Sequence, residues 1–341
     1  MKNKYQRMIA LMRQILRKMH VPLYLHNKSN HIFTLHQHVI MLVLRQYESK
    51  SYESFVEWLH VSSDIVQMLG IKTIPHYTTI QKAAARLSSA MLHLAIGRFI
   101  GLVCPGKVFA GADATGFEDG HAASYYTWRA SLKRSFTRMV AASDMVTQLV
   151  ISAVIRNHAS GHEISDFPKL FKSLVGVTTP RIFVLDKGYD AEWVHQMIRG
   201  EGILSVIAVR RHQDRSGHIT RGRYRKQMRR SFDDIMYHQR NKCETIFSVI
   251  KRKFGSEIRS YNDAMKEREL LYRLLAYNCH RMCMISCLLW MVSREPHADH
   301  IFIESSYISK DNAKQITRTD NNFRSNESDA DSICVTLCFS R

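Results

Sequence analysis

The 341-residue sequence lacks a hydrophobic run able to cross a bilayer; its most apolar stretch, Met282 to Val292, falls far short of the ~20 residues a spanning helix needs. The opening residues, Met1-Lys-Asn-Lys-Tyr-Gln-Arg, lack the apolar segment of a secretory signal. The seven cysteines are odd in number for a long chain, which argues against a disulfide framework and for buried thiols in a reducing compartment. Together these absences set aside secretion and membrane spanning, and a soluble intracellular protein is expected. No internal repeat is present, and no glycine-rich loop suited to cradling phosphates, so nothing points to nucleotide hydrolysis. The chain is also short of acidic residues: 30 Asp and Glu face 49 Lys and Arg, a formal charge of +19. Such an excess costs self-repulsion unless a polyanion neutralises it. With 45% hydrophobic and 23% charged residues the chain is nonetheless globular, and its length suits about two domains.

The charge is unevenly placed. From Pro296 to Arg341 five basic residues face seven acidic ones, a net −2, which leaves +21 on residues 1–295. The densest block, Arg210 to Gly255, holds fourteen Lys and Arg against Asp214, Asp233, Asp234 and Glu244. Ten of the fourteen are arginine, whose planar fork suits phosphate recognition.

Apolar spacing predicts helices over Met1–Met19, Thr34–Tyr47 and Tyr52–Leu59, and a further helix capped by Thr78 or Thr79 and running to Ile100. That last helix, bearing Gln81, Lys82 and Arg86 after the break at Pro75, is compatible with a helix-turn-helix. Beyond Cys104-Pro105-Gly106 the texture changes. Short β-branched runs at Val108–Ala112, Arg138–Ala142, Gln148–Ile155, Arg181–Leu185 and Ile203–Val209 predict strands, with helices over Ile164–Val175 and Ala191–Arg199. Helical spacing returns from about Met236 to Val292. A mixed α/β sheet with crossover helices is therefore expected, with a helical DNA-binding region over 1–104, a mixed-sheet domain over 105–294 and a polar tail over 295–341.

Acidic residues set among so many cations are informative. Asp113 and Asp186 each follow an apolar strand and are expected at its C-terminal end, where α/β sheets commonly present functional groups. In the segment Tyr237-x2-Arg240-x3-Glu244-x6-Lys251 the named residues lie at offsets of 0, 3, 7 and 14, and at about 100° per residue they share one helical face some 60° wide. Ile246, Val249 and Ile250 would pack on the other side, and Lys242, Arg252 and Lys253 add cations around Glu244. Three carboxylates from distant segments suggest a hard-cation site for Mg²⁺ or Mn²⁺. Two such ions suit in-line phosphoryl displacement, with the surrounding cations holding a DNA backbone.

Gly111-Ala-Asp113-Ala-Thr-Gly-Phe, Val184-Leu-Asp186-Lys-Gly-Tyr-Asp190 and the ungapped Tyr237–Lys251 spacing carry a resemblance. The sequence resembles the DDE (Asp-Asp-Glu) transposases of bacterial and archaeal insertion sequences, in the supergroup spanning insertion sequences four and five. The resemblance covers roughly residues 105–290 and is looser over the N-terminal helices. It implies a ribonuclease H-like core with Asp113, Asp186 and Glu244 as catalytic metal ligands and the use of two divalent ions. It also implies cleavage at the ends of a mobile element and attack of the freed 3′-hydroxyl on target DNA. Arg240 and Lys251 would hold phosphates, Tyr237 would position the strand end, and a homodimer acting on double-stranded DNA at the prokaryotic nucleoid, in the cytoplasm, is implied. The tail after Arg294 departs from the family pattern, so a catalytically inactive DNA-binding regulator or relic on the same fold is the alternative.

Other groupings carry less. His31, His36 and His38, and His158 with His162-Glu163, lack the paired spacing of structural zinc sites. Cys279, Cys283 and Cys287 read as a buried stripe on an apolar helix, and Trp128-Arg129 within Tyr125-Tyr-Thr-Trp-Arg as core packing or a stacking platform for an unpaired base.

Overall fold

The computed structural model describes residues 3–25, 28, 30–103, 108–119, 136–157, 162–210 and 221–292, with side chains to residue 286. The Cys104–Gly106 break, the Tyr125–Arg129 cluster, His158, Cys287 as a side chain and the tail after Arg294 lie outside the described residues.

The N-terminal region folds from helices whose buried residues repeat at helical spacing. In α1 (Lys4–Lys18) Met8, Ile9, Met12, Ile15 and Leu16 are buried. In α2 (Leu35–Tyr47) Thr34 and Gln37 form a reciprocal capping box, with bonds of 3.1 and 2.7 Å, and the last nine residues are buried on every side. Then follow α3 (Tyr52–His60), α4 (Ser63–Leu69), which no predicted run covers, α5 (Tyr77–Arg86) and α6 (Ser89–Arg98). The single helix expected from Thr78 or Thr79 to Ile100 is thus two. The His76 ring, rather than a threonine, accepts the Thr78 N–H at the start of α5. Leu87 is extended and buried, and Ser88 starts α6 afresh by accepting the Met91 N–H.

Six strands make one mixed sheet: β1 (Phe109–Asp119), β2 (Phe136–Asp144), β3 (Val150–Arg156), β4 (Ile182–Leu185), β5 (Leu204–Ile207) and β6 (Glu257–Ile258). The order is β3-β2-β1-β4-β5, antiparallel from β1 to β3 and parallel from β1 through β4 to β5. β4 reads Ile-Phe-Val-Leu without alternation because both its faces are covered. β6 pairs parallel with the far end of β1, at Glu118 and Asp119. Helices α7 (Phe167–Val175), α8 (Glu192–Gly200), α9 (Arg223–Arg230), α10 (Asp234–His238), α11 (Asn241–Phe254) and α12 (Asp263–Val292) flank the sheet. This is the mixed α/β architecture expected, consistent with a ribonuclease H-like core.

The N-terminal helices and the sheet share one continuous core, because α12 packs on α1, α2, α6 and β3. Asn278 of α12, fully buried, donates to Val150 C=O (2.8 Å) and accepts from Val150 N–H (3.0 Å), which satisfies backbone groups at the sheet's edge strand. Among the described residues no helix is long and apolar enough to cross a membrane.

Candidate active site

Asp113 does not end its strand, as the sequence suggested, but sits in the middle of β1, opposite Ala141. The strand outlasts its apolar run because β2 continues to pair with it as far as Glu118, whereas the parallel partner β4 stops at Leu185, opposite Ala112. Asp113 is therefore level with the end of β4. There Asp186 opens a 3-10 turn, its side chain accepting the Gly188 N–H at 3.2 Å. One carboxylate on β1 and one just past the end of the neighbouring β4 thus lie at the C-terminal end of the parallel pair.

Glu244 comes from α11, which lies close against β1. Gly111 makes that approach possible: a Cβ there would stand 2.8 Å from Met145 Sδ and 3.3 Å from Cys243 Sγ. Cys243, Ile246, Phe247, Ile250 and Phe254 form the buried face of α11, and burial pushes the Cys243 thiol up to about 12. Glu244, in the first turn, keeps 62% of its side chain exposed.

The expected unbroken helix from Tyr237 to Lys251 is interrupted. Between α10 and α11 the bonds Arg240 N–H to Tyr237 C=O, Lys242 N–H to Gln239 C=O and Cys243 N–H to Arg240 C=O span three residues instead of four. This tighter winding re-aims the side chains on either side of it. Tyr237 Oη donates to Asp186 Oδ1 at 3.3 Å. Arg240 reaches all three carboxylates: Nη1 lies 3.0 Å from Asp113 Oδ2, Nη2 3.1 Å from Glu244 Oε1 and Nε 3.9 Å from Asp186 Oδ1. Lys251 lies elsewhere, with Nζ 5.4 Å from the centre of the Phe117 ring; burial lowers its pKa and the charge of Glu118 partly restores it. Of the remaining cations, Lys242 is half-buried in the first turn of α11 and Arg252 is exposed, while Lys253 Nζ stands 4.3 Å over the Tyr47 ring of α2.

The electrostatics follow from this crowding. Desolvation raises the pKa of Asp113, as do the charges of Asp186 and Glu244, against the Ala114 N–H and Arg240. Tyr237 is raised by burial and by Asp186. Burial works against the charge on Arg240, yet Asp113 and Asp186 hold its pKa above the ordinary value. Three carboxylates against one guanidinium leave a formal −2. Among the described residues no three acidic, His or Cys side chains already converge as a metal cage. The donor set is nevertheless all oxygen, which suits a hard divalent ion, and the Arg240 guanidinium stands as a cation against each of the three.

Sequence reasoning missed one neighbour. Glu163, weighed only beside histidines, has its pKa raised by desolvation and then by Asp113, Asp186 and Asp166. It lines a 440 Å³ cleft with Thr115, Arg138, His162, Gly188 and Arg210. Only the fold places it there, and no local pattern signals it. The N-terminal histidines do not gather: His31 stacks on Tyr24, His36 bonds to Val21 C=O, and burial lowers the pKa of His38. Cys279 and Cys283 are buried, as expected.

The family model described as the transposase DDE domain matches residues 106–279, just over half of the chain. No curated protein matches it.

Proposed function

The chain belongs to the transposase DDE domain family, and on that footing we propose that it cuts DNA at the ends of an insertion sequence of the four/five supergroup and joins the freed end to target DNA. Asp113, Asp186 and Glu244 would hold Mg²⁺ or Mn²⁺, two ions in the working site. When bound, the ions supply Lewis acidity at the scissile phosphate and at the attacking oxygen. In the first reaction water attacks phosphorus, leaving a 5′-phosphate and a free 3′-hydroxyl. In the second that hydroxyl attacks a target phosphodiester, losing its proton and releasing a target 3′-hydroxyl.

The chain's own residues prepare both reactions. Asp113 offers oxygens from β1 and Asp186 from the turn just past the neighbouring β4, and exposed Glu244 closes the set from α11. Tyr237 orients Asp186 through its hydroxyl. Arg240 spans the carboxylates in the free chain and is the cation a DNA phosphate would meet beside them. Lys242, Arg252, Lys253 and Lys251, all of α11, neutralise the DNA backbone. The two ends of an element are brought together by a homodimer.

The observation that supports this reading best is that carboxylates from three separate elements share one guanidinium. A supercoiled plasmid carrying the element's ends, taken from the DNA flanking the reading frame, tests it. With Mg²⁺ the protein should nick at those ends and Glu244→Gln should not. Equal cleavage by the variant would refute the catalytic assignment. Salt-sensitive DNA binding without cleavage, unchanged by loss of all three carboxylates, would favour the regulator.

A further inference from the structure

Two more carboxylates follow Asp186, Asp190 in the loop and Glu192 at the first position of α8, and both reach one helix, Asp190 while also accepting the Arg210 N–H at 2.9 Å. Asp190, its side chain fully buried, accepts Arg225 Nε at Oδ1 and Nη2 at Oδ2, each at 2.7 Å. Glu192 accepts the N–H groups of Tyr224 (3.0 Å) and Arg225 (3.2 Å), filling donors left open at the start of α9. Gly222, at φ +95°, makes the approach possible, since a Cβ there would fall 2.1 Å from Glu192 Oε2. α9 is thereby tied to the chain segment that begins at Asp186.

The helix so anchored is Arg-Tyr-Arg-Lys-Gln-Met-Arg-Arg, and Met228 is its one buried residue. Eight residues are too few for a stable isolated helix, and like charges three and four apart repel. Arg223, Lys226 and Arg230, at offsets of 0, 3 and 7, occupy an arc of about 60° on the side away from Met228, and all three are exposed. Arg229 extends that face. Two carboxylates thus hold a self-repelling cationic surface in place close to the candidate active site, an arrangement that favours a polyanionic partner.

We propose that Arg223, Lys226 and Arg230 form a phosphate-contact track for duplex DNA, and that Asp190 and Glu192 register this track against the loop bearing Asp186. The inference rests on the transposase reading for the identity of the polyanion. It adds a docking surface separate from the Tyr237–Lys253 segment, on which a duplex is held in fixed relation to the carboxylates.

Fluorescence anisotropy of the full chain with a labelled duplex of arbitrary sequence, over a series of salt concentrations, tests this. For the parent, log Kobs should fall linearly with log salt. Arg223→Gln/Lys226→Gln/Arg230→Gln should reduce the slope by about 1 per side chain and weaken binding roughly tenfold or more near 0.1 M salt. A control with the same loss of charge, Arg98→Gln/Lys169→Gln/Lys172→Gln at exposed positions of α6 and α7, should keep the parent slope. Should the triple variant fail to fold by circular dichroism, the single variants Lys226→Gln and Arg230→Gln read the same slope one contact at a time. A parent slope retained in the α9 variants, or an equal drop in the control, overturns the track while leaving the transposase reading intact. A parent that binds no duplex at low salt overturns both.

Discussion

Asp166, just before α7, is buried to 1% and answered by two arginines, Arg138 of β2 and Arg156 of β3. Asp113, Asp186 and Glu244 are three carboxylates answered by one, Arg240. The first cluster closes with a formal +1 and both carboxylate oxygens bonded, Oδ2 to Arg138 at 2.8 Å and Oδ1 to Arg156. The second stays open at −2, with Glu244 mostly exposed. The same residue types therefore serve two ends. A buried carboxylate answered twice ties strands together, whereas the exposed set keeps an unanswered formal charge of −2.

That contrast predicts different consequences for the two clusters. Asp166→Ala takes the paired carboxylate from the buried Arg138 cation and should cost about 3–5 kcal/mol of stability in urea unfolding; a loss below about 1 kcal/mol would mean that the closed cluster is not structural. Glu244→Gln, at an exposed side chain, should leave stability within about 0.5 kcal/mol. It should nevertheless lower Mg²⁺-dependent plasmid cleavage by at least about 100-fold, beyond the range expected of a merely supporting residue. Arg240→Met should lose about 1–2 kcal/mol without metal, because its charge-assisted bonds are partly exposed. Mg²⁺ should then raise the Tm of this variant more than that of the parent, through ligand-linked stabilisation. If Mg²⁺ restored nothing, Arg240 would be a structural tie like Arg138.

The smallest effect concerns pH and the dry side of α8. His195 is fully buried, with Nδ1 2.8 Å from Ser205 Oγ, and desolvation lowers its pKa to about 4. The unfolded chain takes up this proton below about pH 6.5 and the folded chain does not until near 4, so stability is full above pH 6.5 and falls as pH drops through that window. Between pH 7 and 5.5 this amounts to about 1 kcal/mol in urea unfolding. The dependence should be weaker in His195→Gln, and an unchanged profile would remove His195 as its source.

Much of the framework was legible because it is written locally. The β-branched runs marked β1 to β5, the spacing of Met8, Met12 and Ile15 marked α1, and Ile246 and Ile250 marked the inner face of α11. What was not legible depends on partners distant in sequence. Asp113 lies mid-strand because β2 is longer than β4, which no pattern around Asp113 reveals. The break before Asn241 leaves the Tyr237–Lys251 spacing intact in sequence while separating its ends in space. Lys251 consequently faces Phe117, and Arg240 takes the central place among the carboxylates. The anchoring of α9 by Asp190 and Glu192 was equally hidden, since the sequence offers only a basic run and two acids about thirty residues before it.

The central claim is that the open carboxylate set accepts divalent ions at the position Arg240 now spans, and calorimetric titration of the full chain with Mn²⁺ tests it most directly. The account predicts saturable binding in the parent, loss of that binding in Glu244→Gln and tighter binding in Arg240→Met. Equal Mn²⁺ binding by the parent and Glu244→Gln, or weaker binding by Arg240→Met, would contradict it.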